Sequence, residues 1–214
     1  MEGSTARTPR SRTLGPVQWD HVFEDLEGQL AAAWEAEQQS LAAEQERLRI
    51  AKLSLRDRLR AAADGASDLV IELAGDSRLT ARVQLVGEDW CAVTGTDRRI
   101  VLLPTAAITA VGMSAADLVR TVAATRPRSS RLVERMAMGF VLRDLARRRV
   151  PVTVRLRTGS ALAGTVDRAG VDHLDLALHD PGVPRRAAAV SGMRMVPFHA
   201  VASVRLDAGD PLTV

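Results

Sequence analysis

Apolar and polar positions change their period three times along this chain. From Trp19 onward, Trp34, Leu41, Leu48 and Leu55 recur every seven residues, with Leu30, Ala51 and Leu59 beside them. This spacing predicts one long helix over residues 18–64 with a single apolar stripe and Asp20 as its N-cap. Glu37 and Glu44 interrupt the stripe where a coiled coil would place Leu. Two readings stay open, a coiled-coil pair between chains or an arm packed on the rest of the chain. Asp64-Gly65 closes the helix and the period drops to two. Val70, Leu73, Leu79, Ala81, Val83 and Leu85 predict two strands around Ala74-Gly75-Asp76-Ser77, followed by strands at 90–93, 100–103 and 108–111. A connecting segment, 113–130, contains Arg126-Pro127-Arg128-Ser129-Ser130. A helix over 131–149 then leads into five more strands within 150–207. Residues 1–17, with Arg7, Arg10 and Arg12, predict a disordered basic tail, and 208–214 a C-terminal tail.

The second set of strands repeats the first. Leu73 falls on Leu156, Ser77 on Ser160, Ala81 on Gly164, Gly87 on Gly170 and Asp89 on Asp172, all 83 residues apart. Leu103-Pro104-Thr105-Ala106 matches Val196-Pro197-Phe198-His199 at 93, so the second copy carries ten extra residues in one loop. Leu55-Arg56-Asp57 echoes Leu142-Arg143-Asp144 in the helices. The repeating unit is a helix plus five strands, and two related domains are expected, each burying one sheet face in a small barrel.

Composition narrows the classes. With 46% apolar but only 3% aromatic residues and no Tyr, the cores must be built from Val, Leu, Ala and Ile. No apolar run is long enough to span a bilayer and the N-terminus lacks a signal-peptide core, so a cytoplasmic protein without membrane partners is expected. The single cysteine, Cys91, leaves no internal disulfide and reads as a packing residue. Lys52 is the only lysine, a bias that suggests a high-GC bacterial genome. Residues 1–111 hold thirteen basic against seventeen acidic residues and 112–214 sixteen against nine, so the second half is the basic one. No Walker-type loop, nucleophile elbow, carboxylate pair or Cys/His framework is present, which predicts no enzyme and no cofactor.

The second copy resembles the Sm-like family. Val152-Thr153-Val154-Arg155-Leu156-Arg157-Thr158-Gly159, then Leu162-Ala163-Gly164-Thr165-Val166 and Gly170-Val171-Asp172-His173-Leu174-Asp175, look like its first motif. Met195-Val196-Pro197-Phe198-His199-Ala200-Val201 is similar to the second motif of the bacterial RNA-chaperone (Hfq-type) branch. Asp175 stands where that family has a base-reading Asn, and Pro197-Phe198 replace Tyr-Lys. In the first copy, 65–112, Trp90-Cys91-Ala92 and Thr105-Ala106-Ala107 fill the corresponding places, so that copy is degenerate. The expected fold is α+β, mainly β: two tandem helix-plus-five-strand Sm-like (SH3-like) barrels after a long N-terminal helix.

The resemblance implies a non-enzymatic RNA-binding protein, an RNA chaperone or post-transcriptional regulator. It places His173, Asp175, Phe198 and His199 near the contact. The basic run Arg147, Arg148, Arg149, Arg155 and Arg157, with Arg185 and Arg186 in the extra loop, would hold phosphates. A solvated strand face competes with that reading, because His173, Asp175 and His179 alternate with Leu174, Leu176 and Leu178. The alternative function is a scaffold or adaptor that uses barrels and helix for assembly, without nucleic acid. The acidic helix, with Asp20, Glu24, Asp25, Glu27, Glu35, Glu37, Glu44 and Glu46, is expected to meet a protein partner. Family members pair the unsealed edges of their fourth and fifth strands, so a homo-oligomer or internal pairing of the two barrels is expected.

Overall fold

The computed structural model describes residues 17–65, 67–124, 132–182 and 185–207. The predicted tails, apart from Val17, and the Arg126–Ser130 stretch lie outside the described residues. Helix α1 (Val17–Ala51) carries its apolar stripe in the open: Phe23, Leu26, Leu30, Trp34, Leu41 and Leu48 are all exposed. The single helix expected over 18–64 is corrected to two, because α2 (Leu55–Ala63) has its own start. Ser54 accepts a hydrogen bond from the Asp57 amide at 3.1 Å, and the Asp57 carboxylate accepts from the Ser54 amide at 3.1 Å. This reciprocal capping box satisfies the first free amides of α2 and ends helical geometry before it.

From Leu53 onward the chain forms one compact unit. Its strands are β1 (Leu69–Leu73), β2 (Ser77–Val86), β3 (Trp90–Gly95), β4 (Ile100–Pro104), β5 (Ile108–Gly112), β6 (Pro151–Leu156), β7 (Ala161–Ala169), β8 (His173–Leu178), β9 (Gly192–Pro197) and β10 (Val201–Leu206). They make one ten-stranded antiparallel sheet in the order β5-β1-β2-β3-β4-β10-β6-β7-β8-β9. The two separate small barrels expected from the strand pattern are therefore corrected to one continuous sheet that is not closed into a barrel. Within each half the fifth strand pairs with the first, but the fourth and fifth do not pair with each other. The fourth strand of the first half pairs instead with the fifth strand of the second, Leu102 opposite Val204 and Val101 opposite Arg205.

That seam explains two apolar runs that do not alternate. Trp90-Cys91-Ala92-Val93 and Leu102-Leu103 are buried on both faces, as happens where a strand is covered on either side. Cys91, Val93 and Leu103 face the core of the first half, with Leu59, Leu69, Ile71 and Val83. Trp90, Ala92 and Leu102 face the core of the second, with Leu142, Val154, Leu174 and Val204. The core of the second half thus takes in side chains from β3 and β4 of the first, and the two halves form one compact unit.

The connecting segment also holds a helix that the sequence pattern did not show, α3 (Ala115–Ala123). Ser114 caps it, accepting from the Asp117 amide at 3.1 Å, and it packs on α2. Arg58 reaches from α2 to the buried Thr121 hydroxyl at 2.8 Å and to the Leu118 carbonyl at 3.0 Å. The helix expected over 131–149 is shorter: a 3-10 turn, Leu132–Arg135, precedes α4 (Met138–Arg148). Arg149 ends α4 in the left-handed region, φ 56°. Among the described residues no helix is long and apolar enough to cross a membrane.

Candidate functional site

Each half carries the same loop cradle between its second and third strands, and the atoms repeat as the residues do. In the first half the Gly87 amide donates to the Trp90 carbonyl at 2.8 Å and the Thr105 amide to the Asp89 carbonyl at 2.9 Å. In the second, the Gly170 amide donates to the His173 carbonyl at 2.8 Å and the Phe198 amide to the Asp172 carbonyl at 2.7 Å. Arg56 of α2 donates to the Gly87 carbonyl at 2.6 Å, and Arg143 of α4 to the Gly170 carbonyl at 3.3 Å. Both glycines lie under a ring: a Cβ on Gly87 would collide with the Trp90 indole, and one on Gly170 would stand 2.6 Å from His173. Under the buried Trp90 indole only hydrogen fits, whereas at Gly170 the His173 ring would have to shift.

What lies on the cradles differs. The first is filled by the chain's own segment ahead of α4. The Met136 carbonyl accepts from the Glu88 amide at 3.0 Å and from Trp90 Nε1 at 2.8 Å. The Asp89 carboxylate accepts from the Met138 amide at 2.7 Å, capping the start of α4. Arg56 also donates to the Glu134 carbonyl, and Arg60 pairs with the Glu134 carboxylate at 3.2 Å. In the second half the counterpart of Glu88 is Val171, 94% exposed, and the counterpart of Asp89 is Asp172, whose side chain is 86% exposed. His173 Nδ1 lies 2.8 Å from Asp172 Oδ1. That hydrogen bond holds the Asp172 carboxyl below its usual range, and the nearby His199 ring adds to the effect.

The residues expected to bind RNA divide into three groups. His173, Phe198 and His199 come together around Asp172, with Phe198 partly buried against the second core and His199 exposed. Asp175 sits farther along β8, opposite Arg168 of β7 and Met195 of β9. The arginines at the end of α4 are turned onto carboxylates. Arg147 and Arg148 pair with Asp144, while Arg149 and Arg185 converge on Asp167 at 3.2 and 2.6 Å. Arg155 donates to the Gly159 carbonyl at 3.4 Å and Arg157 to the Ala106 carbonyl of the first half at 2.6 Å. Arg186 is exposed in the extra loop. Apart from Arg186, each arginine of the expected phosphate-holding run thus has a carboxylate or carbonyl partner. His179 leaves the strand face altogether: it is buried, its Nε2 2.8 Å from the Thr165 hydroxyl and its Nδ1 3.1 Å from the Asp180 carbonyl.

Sequence reasoning missed Asp172 as a site residue, although the signal is present. Gly-x-Asp recurs as Gly87-Glu88-Asp89 and Gly170-Val171-Asp172, followed in each case by a ring. Compared with known proteins, the chain matches no family model, no curated protein and no solved structure.

Proposed function

We propose that this chain is a non-enzymatic assembly module, a scaffold or adaptor of two Sm-like five-stranded units whose partners are proteins. The β4–β10 seam carries the reading. Each unit is open between its fourth and fifth strands, and one edge of each opening, β4 of the first and β10 of the second, already joins the two halves. Strands β5 and β9 remain as the sheet's two edges, and backbone donors and acceptors on an edge are a template for further pairing. Exposed Met193 and Met195 line β9, and the stripe of α1 offers a second apolar surface. Against phosphate binding stand the arginines themselves, because Asp144 and Asp167 each offset two of them.

RNA binding at the second unit is the second reading, favoured by the exposed His199 and Arg186 beside a half of net positive charge. Copurified nucleic acid separates the two. The assembly reading expects protein free of RNA after purification at low salt, and a mass by light scattering above that of one chain. Retained RNA that salt releases, with a salt slope flattened by Arg147, Arg148 and Arg149→Ala, would establish the RNA reading in its place.

A further inference from the structure

The two cradles are one device present twice, and among the described residues only the first is filled. We infer that the cradle of the second half, Gly170–His173 with Arg143 and Arg147, binds a partner protein's helix-entry segment of the type acidic-x-apolar-x-helix start. This rests on the assembly reading and adds to it the chemistry of the partner.

The filled cradle defines that chemistry atom by atom. A carbonyl, that of Met136, takes the loop amide; a helix-start amide two residues on, that of Met138, takes the loop carboxylate; an acidic side chain two residues before, that of Glu134, takes an arginine of the overlying helix. The second half presents each counterpart. The Val171 amide corresponds to Glu88, the Asp172 carboxylate to Asp89, and Arg143 to Arg56, already on the matching glycine carbonyl. Arg147 stands where Arg60 stands, and its side chain is 81% exposed while it pairs with Asp144. A backbone amide, a carboxylate and a cation in this order recognise a polypeptide with a free helix start, whose first amides lack partners. The exposed Val171 side chain adds an apolar contact.

Among its described residues a second copy of this chain does not supply that segment. In each copy Glu134–Met138 is seated on its own first half, and the residues that correspond to it by the repeat, Arg47–Ala51, lie inside α1. With no described segment of this chain free to fill it, the occupant is assigned to a different protein.

The probe is the filling segment itself: a fluorescein-labelled peptide of residues 132–142, titrated into the intact, nuclease-treated protein and read by anisotropy. Saturable binding is expected. Asp172→Ala should weaken it about tenfold or more, the effect of losing a charge-assisted hydrogen bond, and Asp89→Ala should leave it in place. A peptide carrying Lys for Glu134 should bind the protein more weakly and regain affinity with Arg147→Glu, a rescue that does not depend on how well Asp172→Ala folds. Absence of saturable binding, loss that follows Asp89 instead of Asp172, or failure of the charge swap would overturn the inference. So would an oligouridylate that binds through Asp172 where the peptide does not, since the cradle would then belong to nucleic acid. Copurified RNA and oligomeric mass report separately on the assembly reading, so either conclusion can fail alone.

Discussion

Gly164 lies opposite Leu178 across β7 and β8, and the approach is so close that a Cβ on Gly164 would collide with the Ala177 carbonyl oxygen. The first half solves the same crossing the other way round: Ala81, buried, lies opposite Gly95. Each pair has one glycine, on opposite strands, because two curved strands leave room for one side chain between them.

Gly164→Val should therefore destabilise the protein strongly, at or above the upper end of the roughly 1 to 3 kcal/mol seen for overpacked cores. Ala81→Gly should cost only about 0.5 to 1 kcal/mol of backbone entropy, plus a small loss of packing. Thermal melts of the two variants have a required order. Equal and negligible shifts would remove the close crossing, and with it the best local support for the repeat.

Leu102 belongs to a strand of the first half and to the core of the second. Leu102→Ala should cost about 2 to 5 kcal/mol and lower one shared transition. Cys91 is a convenient reporter, since burial pushes its thiol up to about 12 and keeps the reactive thiolate away until the structure opens. Labelling of Cys91 should accelerate in parallel with loss of signal from the second half. Two separate melting steps, with Cys91 labelled in only one of them, would show that the halves fold independently.

Asp117 binds the start of α3 to its surroundings through Arg120, Ser114 and Ser67. The Arg120 hydrogen bond, then the Ser114 one, holds its carboxyl below the usual carboxylate range in the folded protein. A lowered folded value means stability that is present above the ordinary carboxylate range and lost as pH falls through the folded value. Asp117→Asn should therefore melt lower than the parent at neutral pH, with the gap closing on acidification below that range. A gap independent of pH would assign Asp117 a packing role only.

Much of this was written in the period of the sequence. The strand positions, the internal repeat and the helix before each set follow from alternation and spacing, which reflect local geometry. Even the break after α1 is spelled out, as Ser54-x-x-Asp57, but a stripe that runs on through Leu55 and Leu59 hides it. Helix α3 was obscured in the same way, because its nine residues are too few to establish a period on their own. The cradle residues Gly87, Asp89, Gly170 and Asp172 were legible as a repeat and not as a site, since a repeat says that two places are alike without saying what rests on them.

By itself the sequence determined the strands and their duplication, because hydrophobic period and turn chemistry are local. Only the tertiary structure decided that β4 would take β10 instead of β5, that Arg149 and Arg185 would both close on Asp167, and that among the described residues one cradle would be filled and its twin not. An open strand edge or an exposed cation can be satisfied by many partners. Which of them lies within reach is set by chain connectivity across the whole sheet, information that no window of the sequence contains.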